Sequence, residues 1–316
     1  MSVATDSDMR ISDEMTYRVL SSGISSSKQS IFQLQQQIST GRRVLQPSDD
    51  PGSYEMITRL NDDLANIQQY TKNAERLETD LTATDNTLQS MTSLFQRIQE
   101  ITIKGGDATI SDSDRVTLGK EADGLLTQLI DMANLSEGGR YVYAGLRTDT
   151  KPYTGTDTDA DGMIDTITYS GSDQTRQVEI GRGVYVEANI VGSSATSPNA
   201  MFQTSSIDLF QTIIDLRDNL MAGNNTSQTT DLDQTNKGLN HILSMISTVG
   251  ARQEQVTISK DLLSQRETNI QSSLDTEQSL DIAKAMTELA ERQLSYQAAL
   301  KSTTLVLNQQ RLMDML

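Results

Sequence analysis

From Gly52 to Lys104 the chain reads GSYEMITRLNDDLANIQQYTKNAERLETDLTATDNTLQSMTSLFQRIQEITIK. Leu60, Ile67, Ala74, Leu81, Leu88 and Phe95 recur in it at heptad spacing, interleaved with Met56, Tyr70, Leu77, Met91 and Ile98. Heptad spacing keeps one apolar seam on one side of an α-helix. The stretch therefore predicts one long helix that has a partner along its seam. Its start is written just upstream, where Asp50 is a good N-cap and Pro51 takes the first helical position, at which a missing N–H costs nothing. Gly105 and Gly106 stop it.

Upstream lies the connector GRRVLQPSDDP and, before it, a helix predicted from about Asp13 to Ser39 and ending at Gly41. Its stripe is Tyr17, Ile24, Ile31 and Ile38, with Leu20 and Leu34 in the second seam position. A shorter helix is expected downstream over about Ser113 to Leu135, burying Leu125, Leu126, Leu129 and Met132. The text changes at GGRYVYAG. From about Arg140 to Ala200 glycine, threonine and aspartate dominate, ITYSGSDQTRQVEI reads as a hairpin around Gly171, and GVYVEANIVG as a further strand. Helical text returns at SSIDLFQTIIDLRDNL. After a polar loop from Gly223 to about Thr230, a very long helix follows with the stripe Leu239, Ile242, Ile246, Val249, Val256 and Leu263. That stripe weakens around Leu274–Glu277, and a terminal helix begins there with Ile282, Met286, Leu289, Tyr296, Leu300 and Leu307.

The expected fold is mainly α with a β-rich insert: an elongated antiparallel helical bundle or coiled coil made by the N- and C-terminal segments. The boundaries expected are a terminal coiled-coil domain of 1–45 with 278–316, a long-helix domain of 46–139 with 203–277, and an outward-facing β-rich domain of 140–202. The terminal stripes are narrow. A helix that buries so little cannot offset its own chain entropy, so the two ends are expected to be disordered in the free subunit and to be ordered by partners.

Composition narrows the function classes. A hydrophobic share of 35%, only 4% aromatics and no Trp fit long water-facing helices better than a compact enzyme. The net charge of −17 argues against a nucleic-acid partner. With no Cys there is no disulfide, thiol chemistry or zinc–thiolate site. No run approaches a membrane span, so membrane insertion is not expected. The opening MSVATDSDMR lacks the basic start and apolar core of a secretory signal, and Met9 is an alternative start to Met1.

No catalytic constellation is found, and the chain is expected not to be an enzyme. His241 stands alone and reads as a surface or seam residue, while Asp49/Asp50 and Asp62/Asp63 read as cap and helix-face charges. One motif carries chemistry: DTDADGMID, where Asp157, Asp159 and Asp161 alternate, Gly162 allows a sharp turn and Asp165 holds the ninth position. That is the opening of an EF-hand-type calcium loop, but its twelfth position is Thr168 instead of a bidentate Glu. A Ca2+ ion at these four aspartates is weighed against an acidic turn; no other cofactor is expected.

Several segments resemble the flagellin superfamily, and its hook-associated junction members more than its filament subunits. They are MRISDEMTY (9–17), QISTGRRVLQPSDDP (37–51), EADGLLTQLIDMAN (121–134), GGRYVYAG (138–145), VGARQ (249–253) and ELAERQLSYQAALKSTTLVLNQQRLMDML (288–316). Pro47 and Pro51 flanking the acidic cap and the ending LNQQRLMDML carry the junction-type likeness. The resemblance implies a structural subunit that self-assembles into a ring or tube between the first hook-associated protein and flagellin. It implies an extracellular flagellar location, export unfolded without a cleavable signal, and an export chaperone bound to about Asp281–Leu316. A filament subunit, or another coiled-coil scaffold protein, is the alternative.

Overall fold

Asp50 caps the long helix as its sequence requires. The Ser53 amide donates to Asp50 Oδ1 at 3.1 Å, and the Tyr54 amide to the Asp50 carbonyl at 2.9 Å. The helix so started, α2, runs Pro51–Gly105. The structure is a computed structural model that describes residues 6–223 and 228–313, with side-chain surroundings given for Met15, 18–223 and 229–305. Its other helices are α1 (Asp6–Thr40), α3 (Asp112–Ala133), α4 (Leu209–Met221), α5 (Gln228–Gln278) and α6 (Ile282–Met313). Between α3 and α4 lie β1 (Ser136–Glu137), β2 (Arg140–Tyr141), β3 (Tyr153–Thr156), β4 (Thr166–Tyr169), β5 (Gln177–Gly181) and β6 (Val184–Glu187).

The strands form three separate antiparallel pairs, each with its successor: β1 with β2, β3 with β4, β5 with β6. The first closes through Gly138 and Gly139, both at positive φ, which is the backbone a two-residue hairpin turn needs. The hairpin expected around Gly171 is not formed. Tyr153 stands opposite Tyr169 and Thr156 opposite Thr166, so β4 turns back on β3 and the acidic run 157–165 is the turn. Alternation marks strands without marking partners. Around Gly171 the Ser172 amide bonds to Ala144 O instead of across a hairpin.

The chain divides into two compact units, Met1–Asn66 with Arg266–Leu316, and Ile67–Gln265. The divisions fall inside α2 and α5, not at the changes of text near 45, 140, 202 and 278. The larger unit has one apolar core. Leu81, Leu88, Phe95 and Ile98 of α2 meet Leu126 and Leu129 of α3, Ile213 of α4, and Ile242, Val249 and Val256 of α5. Tyr143, Tyr153, Ile180, Val186 and Phe202 of the β-rich segment belong to the same core, so 140–202 is not a domain of its own. Phe202 stacks on Phe210 of α4 at 5.2 Å, and Tyr153 meets both rings at 5.2 and 5.0 Å. In this unit α2 and α5 run antiparallel: Gln99 bonds Asn236 at 2.7 Å and Glu78 pairs with Lys260 at 2.5 Å.

Two buried arginines hold loops to this core. Arg115 Nε donates to Gly105 O at 3.2 Å and its Nη2 to Asp107 O at 3.0 Å, satisfying the last carbonyl of α2 and holding the turn that follows it. Arg217 of α4, only 2% exposed, donates to Ile164 O at 2.8 Å, Asp123 at 3.0 Å and Asp218 at 2.8 Å, with Asp165 at 3.8 Å. It ties the foot of the β3–β4 turn to α3 and α4.

In the other unit the connector and the α5–α6 break form a clasp. The Arg43 amide donates to Gln278 O at 2.7 Å and the Leu280 amide to Gly41 O at 3.0 Å, with Arg42 and Ser279 paired antiparallel. The Arg43 guanidinium reaches Asp50 at 3.0 Å, Ser53 Oγ at 2.9 Å and Glu277 O at 3.2 Å. Ser53 Oγ in turn donates to Glu277 Oε2 at 2.9 Å. Asp49 Oδ2 accepts the Leu45 and Gln46 amides, and Asp49 Oδ1 accepts Gln33 Nε2 at 2.7 Å. Beside the clasp Val44, Ile57 and Leu274 make a small second core.

Two outcomes follow. Removing Arg217 by Arg217→Met leaves Asp123 and the Ile164 carbonyl without their donor; a loss of about 3 kcal/mol is expected in urea unfolding, read as a lower midpoint with an unchanged slope. A loss under about 1 kcal/mol would show the network to be dispensable. At the clasp, the Arg43 hydrogen bond, aided by Ser53, holds the Asp50 carboxyl down at about 2, below the usual carboxylate value. A carboxyl depressed on folding stabilises above its unfolded value and stops doing so as pH falls through the folded one. Stability of the wild type should thus fall between about pH 4 and pH 2 more steeply than that of Asp50→Asn, which keeps a capping oxygen but cannot titrate. Parallel pH profiles for the two proteins would remove Asp50 from the clasp.

Candidate assembly faces and the acidic loop

Helices α1 and α6 pack on one another, antiparallel because the end of α1 meets the start of α6 at the clasp. On α1 the expected stripe is the half-covered one: Leu20, Ile24, Ile31, Leu34 and Ile38 are all partly buried. Tyr17 and Leu307 lie outside the residues whose side chains are described. On α6 the stripe splits. Leu289 and Tyr296 are partly buried, whereas Ile282, Met286 and Leu300 are exposed.

The covered line of α6 is instead Ala285, Leu289, Tyr296, Ala299 and Thr303, mostly small residues at helical spacing. Large apolar side chains point away from it: Leu294 is 70% and Leu305 69% exposed, with Ile282 and Met286 at 54% each. Met15, Val19 and Phe32 of α1 are likewise exposed. A heptad stripe does not say which of two adjacent seams the chain itself fills. Here the face turned to α1 is filled by Ala285, Leu289, Tyr296, Ala299 and Thr303, and exposed large apolar side chains are spread over the rest of α6.

The acidic motif forms the β3–β4 turn. Asp157, Asp159 and Asp165 bring carboxylate oxygens within 4.8 Å of one another, and Asp161 does not join that group. Most of these oxygens already serve the loop. Asp157 accepts the Ala160 and Gly162 amides at 2.7 and 2.9 Å, Asp159 accepts the Asp161 amide at 3.1 Å, and Asp165 accepts the Thr158 amide and hydroxyl at 2.7 and 2.5 Å. Gly162 at φ +91 and Ala160 at φ +64 supply the bends. The Thr158 hydroxyl and amide hold Asp165 below the usual carboxylate value, and Arg217 adds to this. At Asp159 the Asp161 amide lowers the value, but desolvation and the charges of Asp161, Asp165 and Asp157 outweigh it and the net shift is upward. Thr168, in the place of a calcium loop's last ligand, lies in β4 opposite Thr154.

His241 is corrected from a surface or seam residue to a buried one. Its Nε2 bonds Ala200 O at 2.9 Å, and since a carbonyl only accepts, the proton is on Nε2. It pins the end of the β-rich segment to α5. Sequence reading also missed Arg43 and Arg217. Arg43 stands inside the connector quoted for its resemblance. Arg217 shares a face with Ile213 and Leu220, and a charge on the apolar face of a short helix is the signal that could have found it.

Residues 11–148 match the family described as the bacterial flagellin N-terminal helical region. The flagellar hook-associated protein 3 of Salmonella typhimurium is 30% identical over 249 residues, covering 77% of this chain and 78% of that protein. The crystal structure of flagellar hook associated protein-3 from Legionella pneumophila superposes with a TM-score of 0.60 at 18% identity, covering 70% of this chain and 98% of that one. That of the flagellar junction protein FlgL from Legionella pneumophila does so with a TM-score of 0.52 at 18% identity, covering 64% and 99%. These two show the shared fold, and the Salmonella relative shows kinship over about three quarters of the chain. The chain belongs to the flagellar hook-associated protein 3 family.

Proposed function

We propose that this chain is a structural subunit of the bacterial flagellum that joins the hook side to the filament by associating with copies of itself in a ring or tube. The observation that carries the reading is the set of large apolar side chains that α6 leaves exposed, Ile282, Met286, Leu294, Leu300 and Leu305. Covering such a side chain is worth on the order of 2 kcal/mol, so several per subunit stabilise a joint without any chemistry. Names of relatives support the reading: the Salmonella protein is a hook-associated protein, and one Legionella structure is of a junction protein.

The finer assignments rest on the same reading. The first hook-associated protein and flagellin are the neighbours on the two sides, and an export chaperone covers Asp281–Leu316 before docking. The subunit leaves the cell unfolded, without a cleaved signal, and works outside it. Its role is mechanical, with no catalytic step. A filament subunit is the second candidate, because the flagellin N-terminal match spans 11–148.

Deleting 281–316 tests the role. In cells that depend on this chain for a hook–filament joint, the full chain should restore swimming and the truncated one should not, while the truncated protein stays helical and soluble. Motility with the truncated chain would defeat the reading, and rescue of a strain lacking flagellin would favour the second candidate. For the loop, we take the Asp157–Asp165 carboxylates as closing the turn on its own amides. Calorimetry of the full chain should then give no saturable heat up to millimolar Ca2+; a saturable signal abolished by Asp157→Asn would make it a calcium site.

A further inference from the structure

In a chain of net charge −17, one groove in the unit Ile67–Gln265 is rimmed by arginines. It has a volume of about 450 Å3 and lies between α2, the β1–β2 pair and β5. Leu77, Val142, Val178 and Ala188 give it an apolar floor. Arg76, Arg140 and Arg176 stand exposed around it, outnumbering the two acids of the same lining, Asp80 and Glu137, the latter opposite Arg140 across the β1–β2 pair. Arg176 pairs with Asp80 at 3.2 Å, but among the described residues Arg76 and Arg140 have no carboxylate in ion-pair reach. Two unpaired guanidiniums over an apolar floor suit a short acidic segment that also carries an apolar side chain.

The same unit displays one. The β3–β4 turn exposes Asp157, Asp159 and Asp161, with half-buried Met163 next to them. Its own amide bonds hold it in one shape, so docking it costs little further ordering. The crowding of its carboxylates, which raises Asp159, is relieved by any cation brought alongside.

We propose that the groove of Arg76, Arg140 and Arg176 receives the Asp157–Asp165 loop of a neighbouring copy of this chain. Groove and loop are different patches of one subunit, so the contact is head-to-tail. Contacts of that kind repeat around an axis and close rings or build tubes. The inference rests on the self-association proposed above and adds its register: a charged contact, separate from the exposed apolar side chains of α6.

The absence of cysteine gives a clean test. Chains carrying Arg140→Cys and chains carrying Asp161→Cys, one of them enlarged by a tag, are produced together in cells that need this chain to swim, and the cells are mildly oxidised. A mixed disulfide dimer is expected to be the main cross-linked species, with few dimers of either variant with itself. Swimming cells without the mixed dimer would overturn the proposal. Charge inversion is the second arm. Arg76→Glu with Arg140→Glu should cut the number of joined filaments at least tenfold, and adding Asp159→Lys with Asp161→Lys should restore most of them. A four-substitution chain no better than the two-substitution chain would also overturn it. Failure of the junction role itself reads differently: the unsubstituted chain would then not restore swimming.

Discussion

Arg43 is the residue on which the arrangement of the terminal helices depends. Its amide and guanidinium together reach Gln278, Glu277, Asp50 and Ser53, joining the start of α2 to the end of α5 across 234 residues of chain. Closing a flexible loop of that length costs about 5 kcal/mol in entropy, and exposed ion pairs contribute about 1 kcal/mol or less each. The clasp therefore cannot drive its own closure. The apolar contacts that hold α2 against α5 do that, and the clasp then fixes which residues meet. Because Gly41 and Leu280 are bonded directly, α1 and α6 must leave the clasp side by side.

Where the aromatic residues went explains why so sparse a sequence builds a core at all. There are only four Phe, yet Phe95, Phe202 and Phe210 are fully buried in the same cluster, joined by Tyr143 and Tyr153. Long helices with one-residue-wide seams leave a ragged gap where a third and fourth helix join. Rings filling that gap bury the most area per residue. The β-rich segment supplies three of the five rings, which is why it merges with the helices and has no separate interior.

Legibility in the sequence followed the physics of each element. The heptads of α2 and α5 were readable because one side of each helix is dry over many turns: Ile67, Ala74, Leu81, Leu88 and Phe95 are all buried, as are Ile242, Val249, Val256 and Leu263. The Asp50–Pro51 start was readable because capping is local. The hairpin around Gly171 was misread because strand partners are set by register, not by glycine, and the turn fell on aspartates that a metal motif had claimed. Arg43, Arg217 and His241 work through carbonyls and carboxylates far away in sequence, which no spacing rule reports. The C-terminal stripe divides between half-covered Leu289 and Tyr296 and exposed Ile282, Met286 and Leu300, a split that period alone does not report.

That last point bears on how such a subunit avoids assembling too early. The face that α6 shows to its own chain carries Ala285, Leu289, Tyr296, Ala299 and Thr303. Ile282, Met286, Leu294 and Leu305 face away from that contact, and at roughly 25 cal/mol per Å2 they add to stability only when something covers them. In the junction role proposed above, neighbouring copies would cover Ile282, Met286, Leu294 and Leu305, and the helix pair would gain stability on docking. Burying those side chains against α1 instead would give a tighter monomer with less to offer a neighbour. On that reading part of the stability of the terminal helices comes from the joint.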